Sequence, residues 1–233
     1  MSTYLLVNLA AISIPFAFSF HPKIRFDRYW FPFLKGCILT AIPFLIWDII
    51  FTRLGVWGFN DRHLAGWKIF GMPYEEYLFF FCIPYACVFT YFALRMFIPK
   101  LQWPARRIFT VMGALLITLG LISSSKDYTT VTFLSMGIFA VALSAIKAPN
   151  LSWMLLTYLI TLLPFYLTNG VLTGSWIPEE VVWYNDMENL GIRVGTIPIE
   201  DTIYGMLLIL MNITFFDFFR KSHKKVDLVR PLS

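Results

Sequence analysis

Two short acidic segments carry the residues most suited to chemistry: Pro73-Tyr74-Glu75-Glu76 and Pro198-Ile199-Glu200-Asp201. Each opens a long apolar, aromatic-rich stretch, and each follows a polar loop containing glycine. Proline suits the first position of a helix, and acids in the first turn interact favourably with the free backbone amides there. Either copy alone therefore reads as a well-made helix start. Four carboxyls in two matching places at the edge of apolar segments, with few bases nearby, read as chemistry, because ionisable groups at membrane depth are costly and usually functional. Carboxyls set side by side in a poorly solvated place hold a proton that a solvated acid would release. Such an acid can protonate a weak base, which makes Glu75, Glu76, Glu200 and Asp201 the candidate catalytic residues.

The surroundings suggest what the weak base is. The stretch after the first motif carries Tyr77, Phe79, Phe80, Phe81, Tyr85 and Phe89. Ring faces stabilise a cation without attacking it, although most such rings simply pack helices or mark membrane interfaces. Asp48, at the end of an apolar stretch, has Asn169 in the corresponding place before the second motif. It either serves the site or pairs with Arg53. Arg193, the base in the loop before the second motif, either pairs with Glu200 or Asp201 or is a solvated loop charge. Asp217, near a basic end, reads as a paired surface acid.

Absences narrow the chemistry. No two glycines lie two residues apart, so the chain has no G-x-G-x-x-G dinucleotide fingerprint. His21, His63 and His223 sit in separate polar segments, so neither a histidine metal site nor a histidine-based triad is expected. No two aspartates fall within five positions of one another, which argues against an aspartate-rich diphosphate site. No metal and no cofactor are expected.

The elements that position these residues must be membrane helices. Of the 233 residues, 58% are hydrophobic and 14% charged, against about 45–50% and about 25% in ordinary globular chains. So few charges cannot cover a water-facing surface. Seven apolar stretches, at about 3–20, 29–51, 73–98, 108–124, 129–146, 151–168 and 197–219, each approach the roughly 20 residues that cross a bilayer as a helix. The first lacks a basic start and a small-residue cleavage site, so it reads as a span rather than a signal peptide. Cys37, Cys82 and Cys87 lie in apolar runs and read as buried thiols. The net charge of +5 comes from bases at the ends of apolar segments and in the tail, a pattern that does not call for nucleic acid.

An outward N-terminus puts 14 lysines and arginines on the cytoplasmic side and 5 on the other. That bias predicts a multi-pass cell-membrane protein with a cytoplasmic C-terminus. The echoed motifs predict an internal duplication. One membrane domain spans 1–233, with repeat 1 at about 1–100, a linking helix at about 101–127, repeat 2 at about 128–220 and a basic tail at 221–233. A single linking helix makes the repeats parallel and places both motifs on the same, outer side. The expected fold is all-α, an integral membrane protein of about seven transmembrane helices.

The two motifs, with Trp47-Asp48, Gly55-Val56-Trp57 and Gly191-Ile192-Arg193 before them, closely resemble the membrane lycopene cyclases, known as heterodimers, fused single chains and fusions to phytoene synthase. The resemblance covers nearly the whole chain and suits the fused form. It implies cyclisation of lycopene, most often to β-carotene, with Glu75, Glu76, Glu200 and Asp201 as the motif acids. It also implies lycopene and membrane lipid as what the protein meets, and other carotenoid-pathway enzymes as partners. The reaction has no net redox change and suits a protein without a nucleotide fold. On the sequence, Glu200 or Glu75 is the expected proton donor, with Glu76 and Asp201 holding or sharing the proton. Tyr77, Phe79 and Phe80 are expected to support the substrate together with Asp48, Asn169 and Arg193. The competing reading is a small transporter whose acids handle protons or cations. That function calls for polar residues through the membrane depth, whereas the strong acids here cluster toward one face.

Overall fold

The computed structural model describes residues 2–229, with side chains placed to residue 221. The basic tail expected at 221–233, with His223, Lys224, Lys225 and Arg230, thus falls beyond the described side chains.

Seven helices account for most of the chain: α1 Thr3–Ser19, α2 Trp30–Leu54, α3 Tyr74–Phe97, α4 Ala105–Ile122, α5 Asp127–Ala145, α6 Leu151–Leu172 and α7 Ile199–Val229. Six are long and apolar enough to cross a membrane. The seventh, α1, has 17 residues, about 26 Å at roughly 1.5 Å per residue, slightly short of a hydrocarbon core of about 30 Å. Apolar side chains such as Ile14, Ile38, Val111, Ile122 and Leu163 cover the outer surface, as they must where the solvent is hydrocarbon. The protein is an all-α, multi-pass membrane protein. Pro15, Pro43, Pro84 and Pro164 all lie inside helices, where packing against neighbours makes their lost hydrogen bonds tolerable.

Short strands, which the hydropathy pattern does not predict, organise the loops. After α2 the chain forms β1 Trp57–Phe59, then the two-residue pair β2 Lys68–Ile69 and β3 Met72–Pro73; after α6 it forms β4 Val182–Tyr184, then β5 Arg193–Val194 and β6 Ile197–Pro198. Two tight hairpins, β2–β3 and β5–β6, immediately precede α3 and α7. Their turns place Phe70, Gly71 and Gly195 at positive φ, which is cheap for glycine alone. β1 pairs with β4 antiparallel, Trp57 opposite Tyr184 and Phe59 opposite Val182. The polar loops that follow α2 and α6 therefore lie together at one end of the bundle. Both acidic motifs begin helices at that end.

The core runs between α2, α3, α6 and α7 and is rich in rings such as Phe26, Phe33, Phe44, Phe80 and Phe216. Two close approaches rely on glycine. A Cβ on Gly36 of α2 would stand 3.0 Å from the Phe216 backbone nitrogen of α7, and one on Gly113 of α4 would stand 2.8 Å from the Gly137 carbonyl of α5. Small residues at such points let membrane helices touch by backbone.

Candidate active site

The two hairpins deliver the acids into matching settings. The Tyr74 amide donates to the Trp67 carbonyl, and the Ile199 amide to the Ile192 carbonyl, at 3.0 and 2.9 Å. Glu75 and Glu200 then turn back under their loops. Glu75 Oε1 accepts from the Ala65 amide and the Ser2 hydroxyl, both at 2.8 Å. Glu200 Oε1 accepts from the Leu190 amide at 2.8 Å and the Thr129 hydroxyl at 2.6 Å. Each glutamate is fully enclosed and fastens its loop to the start of a neighbouring helix.

The next residue in each motif is rotated about 100° around its helix and faces inward. Glu76 and Asp201 line one shared cavity of about 390 Å³, together with Asp48. Asp48 is 3% exposed and lines the same cavity as Glu76 and Trp57, with its Oδ2 buried and without a hydrogen-bond partner among the described residues. The Tyr4 hydroxyl donates to Glu76. Three donors converge on Asp201: the Tyr128 hydroxyl, the Asn169 amide at 2.7 Å and the Tyr184 hydroxyl at 2.8 Å. Burial, and secondarily the Asp201 carboxyl beside it, keeps the Tyr184 phenol protonated well above its ordinary range.

The rest of the cavity is apolar and aromatic. Trp57, Phe59 and Val182 of the paired strands cap it at the loop end, with Phe79 and Tyr204 facing in from α3 and α7. It extends along α3 as far as Thr90, 14 residues below Glu76, or about 21 Å of helix. Ile14 of α1 and Leu167 of α6 line its side and are 68% and 53% exposed on the apolar outer surface. The cavity thus opens between α1 and α6 toward the hydrocarbon, and the carboxyls sit at its capped end.

A carboxyl cluster in a ring-lined pocket reached from lipid matches a family assignment made independently of the geometry. The model of a family described as "Lycopene cyclase" matches residues 1–94 and 125–219. The chain belongs to the lycopene cyclase family. The two matched stretches pass over α4. Neither curated proteins nor solved structures give a match.

In this cyclase the motif acids divide by direction: Glu76 and Asp201 enter the cavity, whereas Glu75 and Glu200 are absent from its lining. Asp48 lines the cavity beside Glu76 while Arg53 lies exposed, so the alternative pairing with Arg53 does not form. Asn169 holds Asp201. Arg193 pairs with neither Glu200 nor Asp201; it bonds Asp186 at 2.5 Å and the Thr196 carbonyl at 2.7 Å. Of its two readings the loop charge stands and the pairing with the motif acids fails, because the β5–β6 hairpin points the guanidinium along the loop, where it holds the Asp186 carboxyl below its usual range. Phe79 lines the cavity, but Phe80 packs into the core against Phe44. The Tyr77 hydroxyl donates to the Ile69 carbonyl at 2.8 Å and braces the first hairpin. Asp217 is buried rather than superficial, held at the far end of the bundle by Tyr91, Arg95, Asn150 and Arg220. The tyrosines at positions 4, 128, 184 and 204 were not among the sequence candidates. Tyr4 and Tyr128 each lie in the first turn of a helix, a matching placement that could have marked them.

Proposed function

We propose that this cyclase converts lycopene to β-carotene by acid catalysis alone, with Glu76 as the proton donor and Asp48 sharing its proton. The observation that carries this reading is the meeting of three carboxyls, two from the first half of the chain and one from the second, at the capped end of an apolar cavity. Glu76 transfers its proton to C2 of the terminal C1=C2 double bond, leaving a tertiary cation at C1. The C5=C6 bond attacks through C6, a new C1–C6 bond closes the ring, and the cation moves to C5. The carboxylate left on Glu76 takes the C6 proton, which forms the β-ring double bond, and the restored acid exchanges its proton with solvent before the next ring. No electrons enter or leave, so the step needs no redox partner. Asp201, which faces three donors, suits the role of the anion that balances the cation, and the rings of Tyr204, Phe79 and Trp57 add cation–π stabilisation.

This reading moves the donor from Glu75 or Glu200, expected from sequence, to Glu76, because the former two are committed to loop amides and hydroxyls. The site lies at the end of the bundle that the charge bias places outside, with the C-terminus cytoplasmic. Expression in cells that accumulate lycopene tests the activity by a red-to-orange change. Cyclisation in deuterated water tests the chemistry: deuterium should appear at C2 of each new ring, in purified protein supplied with nothing but lycopene. A product free of solvent deuterium, or strict dependence on an added nucleotide or flavin, would overturn the mechanism.

A further inference from the structure

The halves differ where their bulk matters most. Thr40-Ala41-Ile42-Pro43-Phe44-Leu45-Ile46-Trp47-Asp48 of α2 aligns with Thr161-Leu162-Leu163-Pro164-Phe165-Tyr166-Leu167-Thr168-Asn169 of α6. The threonine, the internal proline and the phenylalanine coincide, so Trp47 occupies the place of Thr168. By the spacing of the acidic motifs, Phe80 of α3 likewise occupies the place of Gly205 of α7. Thr168 and Gly205 both line the open cavity. Their counterparts fill the equivalent space on the other side: Phe80 is 2% exposed and packs on Phe44, and the Trp47 ring packs against Phe44, Phe51 and Tyr204.

We infer that Thr168 and Gly205 hold open the channel that receives the polyene chain, while Trp47 and Phe80 plug its mirror image, so the site accepts one end of the substrate from one direction only. This rests on the cyclase reading of the same cavity and adds the residues that decide how the substrate lies in it. A linear 40-carbon polyene is longer than the cavity, so the rest of the chain leaves between α1 and α6 into the bilayer. Gly205 is the tightest determinant. A Cβ there meets the Phe165 ring at 3.4 Å, which is ordinary van der Waals contact and leaves room for a methyl but not a ring.

The test places in each channel residue the side chain that the other half already accommodates: Gly205→Phe and Thr168→Trp, with Gly205→Ala as the mild variant. Each is produced in lycopene-accumulating membranes and compared for protein yield, melting temperature, lycopene retained on purification and cyclised product. Gly205→Phe and Thr168→Trp should lose retained lycopene and product by about 10-fold or more, the scale set by steric exclusion from an apolar pocket. Gly205→Ala should fold normally with a smaller loss of both. Independently of any substitution, Cys87, which lines the channel, should react more slowly with an apolar thiol reagent when lycopene is present. Cys82, which does not line it, should show no change. Full retention and cyclisation by folded Gly205→Phe and Thr168→Trp, or a Cys87 that lycopene fails to protect, would overturn the channel. Wild-type protein that retains lycopene and protects Cys87 but forms no ring would instead sustain the channel and refute the chemistry.

Discussion

At the residue scale, adjacent acids in one motif face different surroundings. Glu76 and Asp201 look into the cavity, and Glu75 and Glu200 fasten loops. Glu76→Gln and Asp201→Asn should therefore lower the rate of ring formation by about 100-fold or more, the usual scale for a positioned acid or base, with the melting temperature little changed. Glu75→Gln and Glu200→Gln should do the reverse. Each keeps an acceptor but buries a new amide donor where the carboxyl has no partner for its Oε2 among the described residues, so a loss of about 1 kcal/mol or more in stability is expected, with activity per folded molecule retained within about tenfold. Activity assays normalised to folded protein check both halves of the claim, and equal loss in all four variants would sink the division. The motifs were legible in the sequence because repetition makes them conspicuous. Which acid of each pair faces substrate was not, because a helix turns by about 100° per residue and its rotation is set by packing partners such as Tyr4, Tyr128 and Phe44. Asp48 was visible as an acid in an apolar stretch, but its proximity to Glu76 depends on how α2 lies against α3.

At the element scale, hydropathy placed the seven helices with ends off by four residues at most, except that α7 runs on to Val229, ten residues past the expected end at 219; the bilayer demands long apolar runs with little ambiguity, but a helix can continue beyond it. The three strand pairs escaped hydropathy. They are two or three residues long, and the β1–β4 pair joins segments about half the chain apart, so no local periodicity announces them. Their effect is large nonetheless, because they cap the cavity with Trp57 and Tyr184. α4 lies at the other extreme, contributing nothing to the cavity lining and packing on α5 through glycine. A Cβ on Gly137 would stand 2.8 Å from Ile117 Cγ1 and 2.9 Å from the Gly113 carbonyl. Gly137→Leu should thus lower stability by about 1–3 kcal/mol or more, the range for overpacking, without changing the rate of the molecules that remain folded. Thermal unfolding in detergent beside a normalised activity assay measures the two effects separately. Loss of rate at unchanged stability would mean that the α4–α5 contact sets the placement of Tyr128 and Thr129 at the site.

At the scale of the whole molecule, residues from both parts of the chain line one cavity, and the proposed chemistry needs them together. Asp48 and Glu76 come from the first half, Asn169, Tyr184 and Asp201 from the second, and the β1–β4 ladder closes the roof across both. The hydrogen-bonding patterns around Glu75 and Glu200 match closely, yet an acid at Asp48 and an amide at Asn169 make the halves chemically unequal. Neutralising the acids of either half, by Asp48→Asn with Glu76→Gln or by Asp201→Asn alone, should then abolish both ring closures rather than one. Fragments 1–100 and 101–233 should be inactive alone and regain cyclisation when expressed together. On the channel inferred above, the second ring requires the substrate to withdraw and re-enter reversed, so a one-ringed carotenoid should appear in the membrane before the two-ringed product. Time-resolved pigment extraction from cells carrying the whole chain, each neutralised variant and the paired fragments reads all of these outcomes. A neutralised half that still makes rings at about half the normal rate, or a fragment that cyclises alone, would mean two independent sites, and the composite cavity would not be the place where the reaction occurs.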